Sequence, residues 1–154
     1  MQKFILVLSI LLLSACQSAR PNNAAYNSDP AMNDLTEYAV SLTGTPYKYG
    51  GTSPDTGFDC SGFVGHVFKH SLRKSLPRTS AEMSRVGVAQ KSAMLKPGDL
   101  VFYNTLHKSF SHVGIYLGNG RFIHSPSSGK SVSIVNMNEP YWQKRYNGAR
   151  RIRP

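Results

Sequence analysis

Asp59-Cys60-Ser61-Gly62-Phe63-Val64-Gly65-His66-Val67-Phe68 is the stretch that decides the fold. An Asp side chain accepts hydrogen bonds from the orphan backbone N–H groups of a helix start, so Asp59 caps a helix beginning at Cys60. Phe63, Val64, Val67 and Phe68 recur at helical spacing and give that helix one apolar face. Upstream, Leu35, Tyr38, Ala39 and Leu42 predict an earlier helix stopped at Gly44, and residues 45–57 read as loop. Downstream, Thr79-Ser80-Ala81-Glu82 has capping-box spacing for a short helix. After the turn Lys96-Pro97-Gly98-Asp99 the period changes to two, and 100–103, 113–117, 121–124, 132–135 and 149–152 read as strands. Trp142 anchors a short element between the last two. Helices first and strands after predict an α+β domain, with N-terminal helices packed on an antiparallel β-sheet.

The same stretch carries a thiol. A thiolate is the nucleophilic form of cysteine, and the positive end of a helix dipole favours it, so Cys60 stands where a reactive cysteine is expected. A nucleophilic cysteine needs a base, and two histidines qualify. With Gly118-Asn119-Gly120 as a three-residue hairpin loop, Leu117 pairs with Arg121, Ile115 with Ile123 and Gly114 with His124. His112 and His124 then share one face as diagonal neighbours, while Val113, Ile115, Leu117 and Ile123 point into a core. His66 and His70 stand four apart on the Cys60 helix and are a weaker candidate for a metal pair, with no third ligand evident. No metal is expected. His107 belongs to a polar loop, and of Tyr47 and Tyr49, in the loop before Cys60, one can line the site.

The chain has 154 residues, two cysteines and a formal net charge of +10. That length allows one domain with extensions. The cations are scattered rather than gathered on one helix, and no nucleic-acid motif occurs, so the charge suits an anionic polymer or surface and nucleic acid is not an expected partner. Residues 1–15 have a signal-peptide layout: Lys3 in a short basic start, then an apolar run too short to span a bilayer. Leu13-Ser14-Ala15-Cys16 resembles a bacterial lipobox, which implies cleavage before Cys16 and a lipid on that cysteine. Residues 16–32, rich in Asn, Ala, Ser and Pro, read as a flexible tether, and the domain is expected to run over 33–154. With Cys16 acylated, Cys60 is left as an unpaired thiol in an exported protein, which catalysis explains.

Several motifs then fall in order. Gly44-Thr45-Pro46-Tyr47 with Gly50-Gly51, Asp59-Cys60-Ser61-Gly62-Phe63, Leu76-Pro77-Arg78-Thr79-Ser80, Lys96-Pro97-Gly98-Asp99-Leu100 and His112-Val113-Gly114-Ile115-Tyr116 resemble those of the NlpC-type cell-wall cysteine peptidases. Asn138-Glu139-Pro140-Tyr141-Trp142, with Arg145-Tyr146 and Ala149-Arg150-Arg151, is similar to the C-terminus of enterobacterial lipoprotein members of that family. The resemblance implies a papain-like core and cleavage of amide bonds in peptidoglycan stem peptides containing meso-diaminopimelate, without a cofactor. It implies Cys60 as nucleophile, His112 as general base and acid, and His124 as the group orienting His112. Tyr47 matches a tyrosine near the oxyanion site, and Asp59 and Ser61 match positions that hold substrate. The C-terminal likeness points to the D-Ala–meso-diaminopimelate crosslink; cleavage between γ-D-Glu and diaminopimelate is the alternative, and the segment from Gly51 to Phe58, slightly longer than in relatives, borders the cleft and is expected to decide between them. A non-catalytic cell-wall-binding lipoprotein and a thiol acyltransferase are the readings of other classes. The expected setting is a monomer held by lipid at the periplasmic face of a Gram-negative outer membrane.

Overall fold

The computed structural model describes residues 29–127 and 129–154. The expected signal peptide, Cys16 and most of the tether lie outside the described residues. The first helix, α1 (Pro30–Ser41), starts three residues before the expected domain edge at Asn33. Asp29 accepts from the Ala31 N–H and Pro30 occupies the first turn, where a missing N–H costs nothing. Met32 packs on the core, so residues that look like tether by composition belong to the domain.

A small hairpin follows, β1 (Thr52–Ser53) against β2 (Gly57–Phe58), within the stretch expected to be loop. Strands this short leave no alternating pattern to read. Then comes α2 (Cys60–Leu72), beginning at the expected residue, and α3 (Ser80–Met83), whose capping box between Thr79 and Glu82 is formed from both sides. The remaining strands are β3 (Val88–Gln90), β4 (Leu100–Tyr103), β5 (His112–Gly118), β6 (Arg121–His124), β7 (Ser133–Asn136) and β8 (Tyr146–Arg151), with a one-turn helix α4 (Pro140–Gln143) before the last. These six form an antiparallel sheet in the order β3-β8-β4-β5-β6-β7. The α+β reading holds.

Alternation along the strands separates two cores. Leu100, Phe102, Val113, Ile115 and Ile123 face the helices and meet Leu35, Ala39, Phe63, Val64, Val67 and Phe68. Val101, Tyr103, Phe122 and Ala149 point to the opposite face, where Leu95 and Trp142 pack on them. The turn before β4 is fixed to β8 by a bidentate ion pair, Arg151 Nε and Nη2 donating to the two oxygens of buried Asp99 at 2.7 Å each.

The β5–β6 hairpin closes differently from the expected three-residue loop. Gly118 pairs with Arg121, so Asn119-Gly120 is a two-residue turn, and both have positive φ, 52° and 69°. That is the type I′ geometry matching the twist of a hairpin. A register shift between Tyr116 and Gly118 absorbs the extra residue and restores the expected pairing of Ile115 with Ile123. The two histidines therefore still emerge on one face.

Candidate active site

Cys60 is the first residue of α2, with Asp59 as its N-cap: Asp59 Oδ1 accepts from the Gly62 N–H at 2.7 Å. A close backbone contact holds the helix start. A Cβ on Gly62 would lie 2.0 Å from the Gly51 carbonyl oxygen, so no other residue fits there without moving backbone. The Asp59 N–H donates to that same carbonyl at 3.1 Å. Ser125, directly after β6, donates its hydroxyl to the Phe58 carbonyl at 2.7 Å, tying the histidine strand to the segment entering Cys60. On the other side, Ser80 Oγ donates to the Phe110 carbonyl at 2.7 Å and fixes the entry to His112 against α3.

Within this frame the sequence-predicted residues converge. His112 Nε2 and His124 Nδ1 are 2.7 Å apart, with ring planes at 90°. Both side chains are buried, at 4% and 2% exposure. The backbone amides of Val113, the residue after His112, and of Ser61 and Cys60 itself lie near enough to the Cys60 sulfur to lower its pKa. Tyr47, paired with Phe58 through an isolated bridge, stands close enough to Asp59 and Cys60 for their charges to add to the rise that burial gives its phenol. Ser61 is buried beside Asp59, its Oγ donating to Asp59 Oδ1 at 3.3 Å.

The electrostatics run against one expectation. Burial pushes the Cys60 thiol up from its ordinary range, and the Asp59 charge adds to that; the backbone hydrogen bonds from Val113, Ser61 and Cys60 oppose it but do not prevail. Burial holds His112 down to about 4 and His124 down to about 3. At neutral pH both imidazoles rest neutral, and burial opposes the thiolate that the helix terminus alone favours. With Nε2 of His112 engaged by His124, its Nδ1 is the ring nitrogen left to receive a proton. The arrangement has the parts that nucleophilic catalysis uses: a thiol, an imidazole bonded to a second imidazole, and helix-terminal N–H groups.

Two residues of the site escaped the sequence reading. Arg78 donates from Nη2 to Asp59 Oδ2 at 2.6 Å and from Nη1 to Ser61 Oγ at 3.0 Å, so Asp59 is charge-paired rather than free beside the thiol. Trp142, expected as a structural anchor, packs on both histidines. Partners 19 and 17 residues apart for Arg78 leave no local signal. His66 and His70 are drawn into a different role. The Tyr38 ring stacks on His70 at 3.7 Å between centroids, and its hydroxyl bonds His66 Nε2 at 2.9 Å. Among the described residues no group of three or more His, Cys, Asp or Glu gathers as metal ligands would.

A thiol at a helix start and a hydrogen-bonded imidazole pair stand on a fold of helices packed against an antiparallel sheet. The NlpC/P60 family profile matches residues 44–151, and the chain belongs to that family. It is similar to "Murein DD-endopeptidase MepH" of Escherichia coli K12, 45% identical over 125 residues, covering 79% of this chain and 45% of that one. It is also similar to "Murein DD-endopeptidase MepS/Murein LD-carboxypeptidase" of the same strain, 41% identical, covering 84% of this chain and 67% of the relative. A crystal structure of an NlpC/P60 family protein from Bacillus cereus superposes with a TM-score of 0.76 at 40% identity, covering 82% of this chain and 42% of that one.

Proposed function

We propose that the protein is a cysteine peptidase that hydrolyses amide bonds in peptidoglycan stem peptides containing meso-diaminopimelate, with the D-Ala–meso-diaminopimelate crosslink as its main target. The observation that carries this reading is the 2.7 Å contact between His112 Nε2 and His124 Nδ1 in a domain whose one described thiol stands at a helix N-terminus. In the productive tautomer His112 Nε2–H donates to His124 and Nδ1 keeps its lone pair. As the Cys60 sulfur forms its bond to the substrate carbonyl carbon, its proton passes to His112 Nδ1. The carbonyl electron pair moves onto oxygen, facing the Cys60 N–H and Tyr47. One such oxyanion donor contributes about 3–4 kcal/mol. Collapse breaks the C–N bond, His112 gives its proton to the leaving amine, and water attacks the thioester to free Cys60. His124 keeps His112 in the right tautomer and orientation.

Asp59 and Ser61 hold substrate beside the thiol, with Arg78 balancing the Asp59 charge. The chain needs no metal or cofactor for this sequence of steps. The chain's formal charge of +10 suits an anionic cell-wall polymer. The lipobox-like Leu13-Ser14-Ala15-Cys16 supports cleavage of 1–15, lipidation of Cys16 and a tether over 16–32 ahead of the peptidase domain. Gln17 in place of Asp supports the outer membrane of a Gram-negative cell, with the protein acting as a monomer on its periplasmic face. Product analysis of crosslinked muropeptides tests the bond. Monomers with intact tetrapeptide stems support the crosslink, and stems trimmed to L-Ala-γ-D-Glu support the γ-D-Glu–diaminopimelate alternative.

A further inference from the structure

Trp142 belongs to a motif that the catalytic steps leave unused. It sits in α4, a single turn too short to hold itself as a helix. Its seat comes from packing. The indole is 8% exposed and stacks on His112 at 6.0 Å between centroids, with 27° between planes. It meets His124 edge-on at 5.1 Å and 88°. The two imidazoles are themselves at 90°, so one indole lies nearly parallel to the first ring and perpendicular to the second. Phe122 and Tyr103 complete the surround at 5.0 and 4.9 Å. The turn is held from outside: the Arg145 guanidinium lies 3.8 Å over the Tyr141 ring, and the Arg145 carbonyl accepts from the Asn104 N–H at the end of β4.

We propose that Trp142 is a positioning residue for the peptidase chemistry: its indole holds the His112–His124 pair at right angles and closes their hydrogen bond off from water. A tryptophan serving the core alone would touch the apolar cluster and not both imidazoles. The titratable groups beside the pair are Tyr103 of β4, in register with His112, with Tyr146 of β8 behind it, and Lys130 from the segment before β7; Cys60 of α2 lies by the backbone of Val113, the residue after His112. None of these is a carboxylate, and Asp59, which caps the Cys60 helix, is paired with Arg78. With no anion to stabilise an imidazolium, exclusion of water is what keeps His112 neutral and ready to accept the thiol proton. Removing the indole admits water and moves the His112 titration up toward its ordinary value.

The proposal rests on the peptidase reading for its catalytic consequence but not for its titration. The test therefore uses two readouts on Trp142→Leu, Trp142→Phe and a control, Val101→Ala, which thins the same buried cluster. Histidine ring titrations are followed by NMR in the free Cys60→Ala protein, with no substrate present, and kcat and KM against pH are measured on a soluble crosslinked muropeptide with Cys60 intact. Trp142→Leu is expected to raise the His112 midpoint by about one unit or more. The acid limb of kcat/KM should move up with it, and kcat should fall at least about tenfold with KM within about twofold. Trp142→Phe, which keeps an aromatic wall, should recover most of both, and Val101→Ala should lower the melting temperature without moving either. An unmoved His112 midpoint in Trp142→Leu, or an equal shift in Val101→Ala, overturns the proposal. Should the Leu variant fail to fold, Trp142→Met, which also removes the aromatic wall, takes its place against the same control, and a His112 midpoint identical to wild type there overturns the proposal. A shifted titration in Trp142→Leu, with no muropeptide cleavage by the wild-type protein itself, would tell against the peptidase reading and leave the positioning role standing.

Discussion

Acidification from pH 7 to pH 5 should weaken the fold through the His112–His124 pair, by an amount that follows from burial. An unfolded chain binds a proton on each histidine near 6.5, whereas the folded protein refuses it until about 4 at His112 and about 3 at His124. Both folded values are depressed because the neutral form is favoured. Above 6.5 the pair therefore adds no pH dependence, and below it the unfolded state gains protons that the native state does not. Each pH unit in that window costs about 1.4 kcal/mol per histidine. At pH 5 the loss is about 2 kcal/mol for each ring and about 4 kcal/mol for both, a large part of a typical domain's stability. Urea unfolding followed by Trp142 fluorescence at pH 7, 6 and 5 measures it. His66, also pushed down by burial, contributes in the same direction and is removed by comparing slopes in a His66→Gln background. There, His112→Asn should flatten the dependence by about 2 kcal/mol at pH 5. Equal stability at pH 7 and 5 in the parent, or an unchanged slope in His112→Asn, would refute a dry, neutral imidazole pair.

Three further outcomes follow. His112→Ala should lower kcat/KM on crosslinked muropeptides by at least about 100-fold, and His124→Ala by clearly less, because the second ring orients the base rather than carrying the proton; equal losses would reverse these roles. Gly62→Ala should cost about 1–3 kcal/mol in urea unfolding and more in activity, since its Cβ would stand 2.0 Å from the Gly51 carbonyl and displace the helix start that carries Cys60; wild-type stability would contradict the close approach. Cys16→Ser should release the protein from washed membrane fractions in an immunoblot, and its continued recovery with the outer membrane would refute the lipid anchor.

What could be read from the residues was what local chemistry writes. Asp59 and Thr79 announce helix starts because a cap acts over three residues, and both helices begin where those caps put them. The shared face of His112 and His124 was legible because strand alternation survives a small error in the turn. The hairpin closes on Asn119-Gly120 instead of a three-residue loop, and the bulge beside Leu117 compensates. Contacts set by tertiary packing were not legible. Arg78 reaches Asp59 from a loop beyond α2, and Trp142 meets the histidines only once β8 has placed α4 under the sheet. The burial that works against a Cys60 thiolate was not legible for the same reason: a helix terminus is visible in sequence, whereas burial belongs to the assembled site.

The central claim is that Cys60 cleaves peptidoglycan peptides. Purified sacculi digested with the wild-type protein and with Cys60→Ala, the released muropeptides identified by mass spectrometry, test it most directly. The account predicts that wild type converts crosslinked dimers to monomers with intact tetrapeptide stems, while Cys60→Ala, folded as judged by its melting curve, releases none. Cleavage by the Cys60→Ala protein at more than a few per cent of the wild-type rate would contradict it.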